Sequence, residues 1–244
     1  MKCGRRHNND ESIWVSLSDI MTGLMVIFMF IAISYIVEVK ERQRERDIVF
    51  EEFKATQDSL YAELEEEFKD DFNKWQVVLD KDLSIKFANP EVLFKSSKTD
   101  IQPQFAKILD EFLPRYFDIV LKYTKSERIA EIRIEGHTDS DPIRLLQYDA
   151  DPYIGNMQLS QLRSTEVLKY FRNSDYYLAL TNEDKNTLQF LLTANGLSFG
   201  RNLDADKRFA AKTGKEEDKP LSRRVEFRIV TNSAKIVEEY LLSR

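Results

Sequence analysis

The chain has 244 residues, and its 42 acidic side chains outnumber its 36 basic ones, which gives a formal net charge of −6. An acidic balance argues against a basic surface for nucleic acid, so we expect no nucleic-acid partner. With one cysteine and two histidines, the chain has no internal disulfide framework and no multi-cysteine or histidine-rich metal centre. We expect neither a metal nor a cofactor.

Charge is distributed unevenly and divides the chain into parts that suit different solvents. Residues 12–37 contain one charged side chain, Asp19. Residues 38–75 carry 13 acidic and 7 basic side chains, whereas residues 76–244 carry 26 of each. We therefore predict an N-terminal segment at 1–12, a transmembrane helix at 13–37, a charged helical linker at 38–76 and a globular domain at 77–244.

The first predicted element is a helix that spans a membrane. The 18 residues of 20–37 are uncharged and reach about 27 Å at about 1.5 Å per residue. Together with residues 13–18 they are long enough for a hydrocarbon core of about 30 Å. A cleaved signal peptide is the alternative, but its apolar core is shorter and ends at a small-residue cleavage site, which this sequence lacks.

The orientation of this helix follows from two opposed signals. Three basic residues lie in 1–12 and four lie in 40–46, a count that favours a cytoplasmic C-terminal side. The short N-terminus and the nature of the last domain, described below, favour the reverse. We follow the domain and expect a cytoplasmic N-terminus.

Asp19 is the unusual residue of the apolar segment. A carboxylate inside a bilayer helix costs about 2.5–3.5 kcal/mol. One interpretation is that the helix begins at Ile20 and that Asp19 is an interfacial N-cap. The other is a reversible ion site, since a carboxyl group away from water is stable as its neutral acid and carries a proton. On the second interpretation Ser18 and Thr22 support Asp19, other helices surround it, and H⁺ rather than Na⁺ is transported.

The linker is predicted to be helical, because it is rich in Glu, Lys, Arg and Gln and has no Gly or Pro. Its apolar residues recur at helical spacing and form a stripe: Phe53, Leu60, Leu64, Phe68, Phe72 and Trp75. We interpret it as a spacer whose stripe packs on its own domain or on a second copy. A plug that blocks ion flow, as in MotB-like subunits, is the alternative.

The last part shows alternating strand and helix patterns. Alternating residues predict strands at 83–87, 129–134 and 224–230, with a further strand at 191–194 that continues toward 199. Helical spacing marks 103–123 and 158–171. This order predicts a two-layer α/β sandwich, and residues 174–186 and 201–219 are interpreted as surface insertions.

Three short motifs lie within this frame. Gly136 to Asp139 reads Gly-His-Thr-Asp, Asn156 to Arg163 reads Asn-x-x-Leu-Ser-x-x-Arg, and Arg223-Arg224 precedes Val225-Glu226. Together they resemble the OmpA-like peptidoglycan-binding domain over roughly residues 83–230. Earlier in the chain, Leu17 to Met25 (Leu-Ser-Asp-Ile-Met-Thr-Gly-Leu-Met) resembles the transmembrane helix of MotB-type stator subunits.

The OmpA-like resemblance implies a binding site for a cell-wall peptide that ends in diaminopimelate. Asp139 would pair with the ammonium group and Arg163 would hold a carboxylate through two hydrogen bonds. Backbone N–H groups after Thr138 and the side chain of Asn156 would complete the site. Alternatively, Arg163 pairs with Asp139 and only clamps the strand to the helix.

The remaining motif side chains are expected to be structural. Arg223 and Arg224 would hold the fold, and His137 would be a structural neighbour. No arrangement of a nucleophile with an acid or base indicates an enzyme.

The two resemblances together imply a stator subunit of an ion-driven motor in the bacterial inner membrane, with a periplasmic C-terminal domain. Two copies would stand inside a ring of a multi-pass MotA- or ZorA-like subunit, and protonation of Asp19 would step that ring. The Met-rich run at 21–31 is more similar to the stator of the Zorya anti-phage defence system than to flagellar MotB. A flagellar torque generator and a passive peptidoglycan tether are the alternatives.

Overall fold

The computed structural model describes residues 7–95, 98–125, 128–143 and 151–232. They divide into two compact units, one ending at Glu52 and one beginning at Phe53. The helices are α1 (His7–Phe68), α2 (Asp71–Trp75), α3 (Pro90–Leu93), α4 (Pro103–Thr124), α5 (Pro152–Arg172), α6 (Asp175–Ala179), α7 (Asn182–Leu191), α8 (Ala210–Thr213) and α9 (Lys219–Ser222). The strands are β1 (Val77–Leu79), β2 (Ser84–Phe87), β3 (Ile129–Gly136), β4 (Leu192–Gly196) and β5 (Val225–Thr231).

The first unit consists of the N-terminal part of α1. Its large apolar side chains between Trp14 and Val37 are exposed. Among the described residues, α1 is the one helix long and apolar enough to cross a membrane. An uncovered apolar surface of this length suits contact with lipid rather than water.

The second unit includes the C-terminal part of the predicted linker. Leu60 and Leu64 are fully buried, and Phe68 packs on Phe112 of α4 with ring centroids 5.2 Å apart. The guanidinium of Arg115 lies 4.7 Å from the centre of the Phe68 ring. The apolar stripe thus packs on its own domain, which was one of the proposed alternatives. The compact unit begins well before the predicted boundary at 76/77 because this stripe completes the core.

The sheet has five strands in the order β1-β2-β5-β3-β4. Strands β3 and β4 are parallel, and the other neighbours are antiparallel. The fold class predicted from the sequence is confirmed: an apolar N-terminal helix is followed along the chain by a two-layer α/β domain. Strand β1 was missed because its three residues are too short to show alternation.

The two faces of the sheet differ in character. Ile132 and Ile134 of β3, like Phe227 of β5, face the core, and Phe227 lies 5.0 Å from the Phe112 ring of α4. The residues between them, such as Glu226 and Arg228, form ion pairs instead. This alternation of apolar and charged residues is the expected consequence of the two-residue period of a strand.

Helix α5 begins six residues before the predicted start at 158. The Asp151 side chain accepts a hydrogen bond of 2.8 Å from the Tyr153 N–H, and Pro152 occupies the first turn. An aspartate cap followed by proline is a common helix start. The apolar period does not extend to this start, so it was not predicted. The earlier start places Asn156 on the helix.

The two predicted insertions are only partly at the surface. Residues 174–186 contain α6 and the first half of α7, and Tyr177 is buried against Phe171 with ring centroids 5.2 Å apart. In the 201–219 segment, Leu203 and Asp204 are buried. Both insertions therefore add to the core of the domain.

Two glycines bring α5 against the ends of β3 and β4. Gly136 and Gly196 are partners in the parallel register. A Cβ on Gly136 would overlap the Ser160 carbonyl oxygen, and a Cβ on Gly196 would lie 2.7 Å from the Gln161 Cα. This close approach places the first half of α5 next to the loop that follows β3.

Candidate functional site

Asp19 lies inside α1, because the helix spans His7–Phe68. The interpretation of Asp19 as a helix N-cap is therefore wrong. The Thr22 hydroxyl donates a hydrogen bond of 2.8 Å to the Ser18 carbonyl oxygen. Its oxygen still has lone pairs for a cation, but its proton is not directed at Asp19. The roles of Ser18 and Thr22 beside Asp19 stay predictions.

A cavity of about 590 Å³ opens at the end of β3. Thr138, Asp139 and Arg163 all line it, so the fold brings together three of the four predicted binding residues. Asn156 lies outside the lining. Other walls come from Phe94 near α3 and from Arg223 before β5.

Asp139 is 4% exposed, and both of its carboxylate oxygens are engaged. Its Oδ1 accepts a hydrogen bond of 3.1 Å from the Asp141 N–H, and its Oδ2 lies 2.9 Å from Nη1 of Arg223. The ion-pair partner of Asp139 is thus Arg223 rather than Arg163. Arg223 also lines the cavity, and its expected role in holding the fold stays a prediction.

Arg163 is buried in the cavity wall without a carboxylate. Its Nε donates to the Lys98 carbonyl oxygen at 3.0 Å, and its guanidinium lies 5.1 Å from the centre of the Phe94 ring. Among the described residues, no acidic side chain forms an ion pair with it. Burial lowers the pKa of Arg163 to about 10; Asp139 partly opposes this effect and Arg223 adds to it. A buried cation of this kind is stabilised by an incoming anion.

Two of the backbone N–H groups that follow Thr138, those of Ser140 and Asp141, are bonded within the protein. The Ser140 N–H lies 3.2 Å from Oε1 of Glu217, and the Asp141 N–H is bonded to Asp139. The Ser140 hydroxyl also donates to Glu217, at 2.5 Å. These two N–H groups hold the loop in place, and ligand binding by backbone N–H groups after Thr138 stays a prediction.

Thr138 and Asn156 have different positions at this loop. The Thr138 N–H donates to the Ser198 carbonyl oxygen at 3.1 Å, and its buried hydroxyl has no partner among the described residues. The Asn156 side-chain N–H group donates a hydrogen bond of 2.9 Å to the Asp141 carbonyl oxygen, and its Oδ1 is buried without a partner among the described residues. Thr138 therefore has a free hydroxyl for a ligand, whereas Asn156 supports the loop.

A buried polar cluster lies next to the cavity. Potential ligand atoms of Glu135, His137 and Glu226 lie within 4.8 Å of one another, as in a metal site. However, Glu226 is held by Arg224 at 2.6 Å and by Arg228 at 2.9 Å. These guanidinium groups neutralise the carboxylates and oppose a cation, so the cluster does not fit a metal ion.

His137 is uncharged in this cluster at neutral pH. Burial lowers its pKa to about 4, assisted by the positive charge of Arg224. Its Nε2 lies 3.6 Å from both Glu135 and Glu226, and without a proton these contacts are not ion pairs. His137 and Arg224 thus join the ends of β3 and β5, in line with their expected structural role.

Comparison with known proteins gives two curated relatives, both named Zorya protein ZorB. One, from Escherichia coli strain Crooks, is 36% identical over 239 residues and covers 96% of each chain. The other, from a second Escherichia coli strain, is 26% identical over 235 residues and covers 94% of this chain and 84% of the relative. No family model matches the sequence.

Solved structures with a similar fold include a MotB-like protein from Desulfovibrio vulgaris, with 23% identity, a TM-score of 0.49, and coverage of 74% of this chain and 98% of the other. The cell-wall anchor of the type VI secretion system of Pseudomonas aeruginosa has 20% identity and a TM-score of 0.42, with coverage of 69% and 96%. The periplasmic domain of Helicobacter pylori MotB has 15% identity and a TM-score of 0.40, with coverage of 66% and 91%.

Proposed function

The chain belongs to the ZorB family, the MotB-like stator subunits of the Zorya system, and on that premise we propose how it works. Asp19 carries a proton through the inner membrane, and the C-terminal domain anchors the subunit to peptidoglycan. Two copies stand inside a ring of ZorA-type subunits, with their N-termini in the cytoplasm and their C-terminal domains in the periplasm. The fixed pair lets proton flow turn the ring in response to phage.

The observation that carries this proposal is the position of Asp19 inside a helix with an uncovered apolar surface. An acid in that place is energetically costly, so its presence there indicates a function. Ser16, Thr22 and Gly23 lie three or four residues away and share its helix face. These small side chains let a neighbouring helix approach the carboxyl group. Each time Asp19 loses or regains its proton, the charge that faces the neighbouring helix of the ring changes. This change drives one step of the ring's rotation.

Phage plating tests the role of Asp19 in cells that carry the gene with its native neighbours. We expect Asp19→Asn to abolish protection at normal protein level, because the amide cannot release a proton at neutral pH. Asp47→Asn is the matched control, since Asp47 lies on the same helix but is exposed outside the apolar segment. Full protection by Asp19→Asn would refute the motor mechanism and leave a passive tether.

The anchor proposal is supported by Arg163. A peptide end with a free carboxylate and an ammonium group matches the two charged walls of the cavity. The carboxylate pairs with the buried guanidinium, and the unpartnered Thr138 hydroxyl offers a further hydrogen bond. Bonds between charged groups of this kind are worth about 1.5–3 kcal/mol.

Co-sedimentation of the detergent-solubilised full chain with purified sacculi tests the anchor. Arg163→Ala should weaken binding at least about tenfold, since every 1.4 kcal/mol changes affinity by that factor. Arg172→Ala is the matched control on the same helix, because Arg172 is exposed and stacks on Tyr177 away from the cavity. Equal sedimentation of both variants would exclude the cavity as the peptidoglycan site.

A further inference from the structure

The two charged walls of the cavity are not equally available. Arg163 has no carboxylate partner among the described residues, so its side of the cavity is open to an anion. Asp139 is the opposite case, since one oxygen is bonded to the Asp141 N–H and the other to Arg223. A ligand with an ammonium group therefore meets an acid that is already occupied by a cation of the protein.

Arg223 is held more loosely than its neighbour Arg224. Arg224 is 2% exposed and donates hydrogen bonds to Glu226, to the Ser222 carbonyl oxygen and to the Arg201 carbonyl oxygen. The Arg223 side chain is 39% exposed, and within the described part of the chain it donates one hydrogen bond, to Asp139. Its Nε is buried without a partner among the described residues. Arg224 is thus built into the fold, whereas Arg223 is held by fewer bonds and can be displaced by another cation that takes its place on Asp139.

We propose that Arg223 occupies the place of the ligand's ammonium group on Asp139 and acts as an internal competitor that sets the specificity of the anchor. A ligand displaces Arg223 only if it brings an ammonium group for Asp139 as well as a carboxylate for Arg163. An anion without an ammonium group binds next to Arg223 and leaves it in place. This inference rests on the proposed anchor function.

The loop that carries Asp139 stays in position when Arg223 leaves. Glu217 holds the Ser140 hydroxyl at 2.5 Å, and Lys219 holds the Asp141 carboxylate at 2.5 Å. Both contacts come from the segment just before Arg223. Displacement of Arg223 therefore exposes the Asp139 carboxylate without unfolding its loop.

Two small molecules with the same carbon chain distinguish the contribution of the ligand's ammonium groups from that of its carboxylates. Diaminopimelate has two ammonium and two carboxylate groups, and pimelate has the same carbon chain and carboxylates without the ammonium groups. Their affinities for the detergent-solubilised full chain are measured by calorimetry, and each is also measured as a competitor of sacculus binding. Wild type should prefer diaminopimelate.

Arg223→Gln should bind diaminopimelate about fivefold more tightly, because Asp139 no longer has a competing cation. A fivefold change corresponds to about 1 kcal/mol, the upper range for a partly exposed ion pair. The same variant should bind pimelate more weakly, since the cavity loses a positive charge. Lys215→Gln is the matched control, because Lys215 pairs with Asp206 outside the cavity lining, and it should leave both affinities within about twofold. In an Asp139→Asn background, Arg223→Gln should no longer raise the affinity for diaminopimelate.

A parallel loss of affinity for both molecules in Arg223→Gln would overturn the proposal and make Arg223 a direct carboxylate ligand. Unchanged affinities for both would overturn it as well. If wild type binds neither molecule and does not sediment with sacculi, the anchor function itself fails. If sacculus binding depends on Arg163 but Arg223→Gln does not favour diaminopimelate, the anchor stands and only the competitor role is lost.

Discussion

Replacing Gly136 by alanine tests the close contact that positions the cavity. The added Cβ would overlap the Ser160 carbonyl oxygen and would lie 3.0 Å from its carbonyl carbon. Carbon atoms in contact normally lie about 3.5–4.0 Å apart, so relief of the contact with the carbonyl carbon alone requires α5 to move by about 0.5–1 Å. Each nearby atom belongs to the backbone of Ser160, so no flexible side chain can relieve the contact.

The expected loss of stability is at the upper end of the range for overpacking, about 3 kcal/mol. For a unit of this size, that lowers the melting temperature by roughly 6–12 °C. Sacculus binding should fall too, because Arg163 lies one turn after Ser160 on α5 and moves with it relative to Asp139.

Thermal unfolding of the solubilised full chain, followed by circular dichroism, measures this effect. Gly200→Ala is the control, because its Cβ would lie 3.4 Å from the Tyr153 hydroxyl and 3.6 Å from the Leu197 carbonyl oxygen, which are ordinary contacts. A Gly136→Ala protein that melts within about 2 °C of wild type and binds sacculi normally would refute the reasoning.

Two further predictions concern stability. Leu64→Ala should lower the free energy of unfolding in urea by about 2–5 kcal/mol, because Leu64 is fully buried in the core. Leu178→Ala is the control and should cost little, because Leu178 is 60% exposed. Equal effects of the two substitutions would show that the end of α1 is not part of the core. The pKa of His137 is about 4 in the folded state, below its ordinary value of 6.5. Between these two pH values the unfolded state binds more protons than the folded state. The free energy of unfolding therefore falls as the pH drops from 6.5 to 4, by up to about 3 kcal/mol. His137→Gln should remove this loss between pH 6.5 and 5, and an unchanged pH profile of the melting temperature would contradict it.

Much of the fold and part of the site could be predicted from short segments. The strand at Ile129–Gly136 and the helix at Pro103–Thr124 show their periods locally, and both are present in the structure. The start of α5 was missed, because a cap and a proline rather than an apolar period mark it. The grouping of Thr138, Asp139 and Arg163 was implied by motifs, and the structure places all three around one cavity.

The pairing within the cavity could not be predicted in this way. Asp139 and Arg223 are 84 residues apart, and their contact depends on how the segment before β5 returns to the end of β3. The use of the Ser140 N–H by Glu217 depends on the same segment. Nothing in the local sequence distinguishes Arg223, which faces the cavity, from Arg224, which is buried in an ion pair.

The sequence by itself determined the apolar helix, the lone acid Asp19 within it and the alternation of helices and strands. These properties follow from each residue's preference for lipid, water or a regular backbone, which acts locally. Only the tertiary structure decided that Leu64 and Phe68 complete the domain's own core and that Arg223, not Arg163, neutralises Asp139. Burial and ion pairing depend on which distant segments meet, and that is settled only when the whole domain packs.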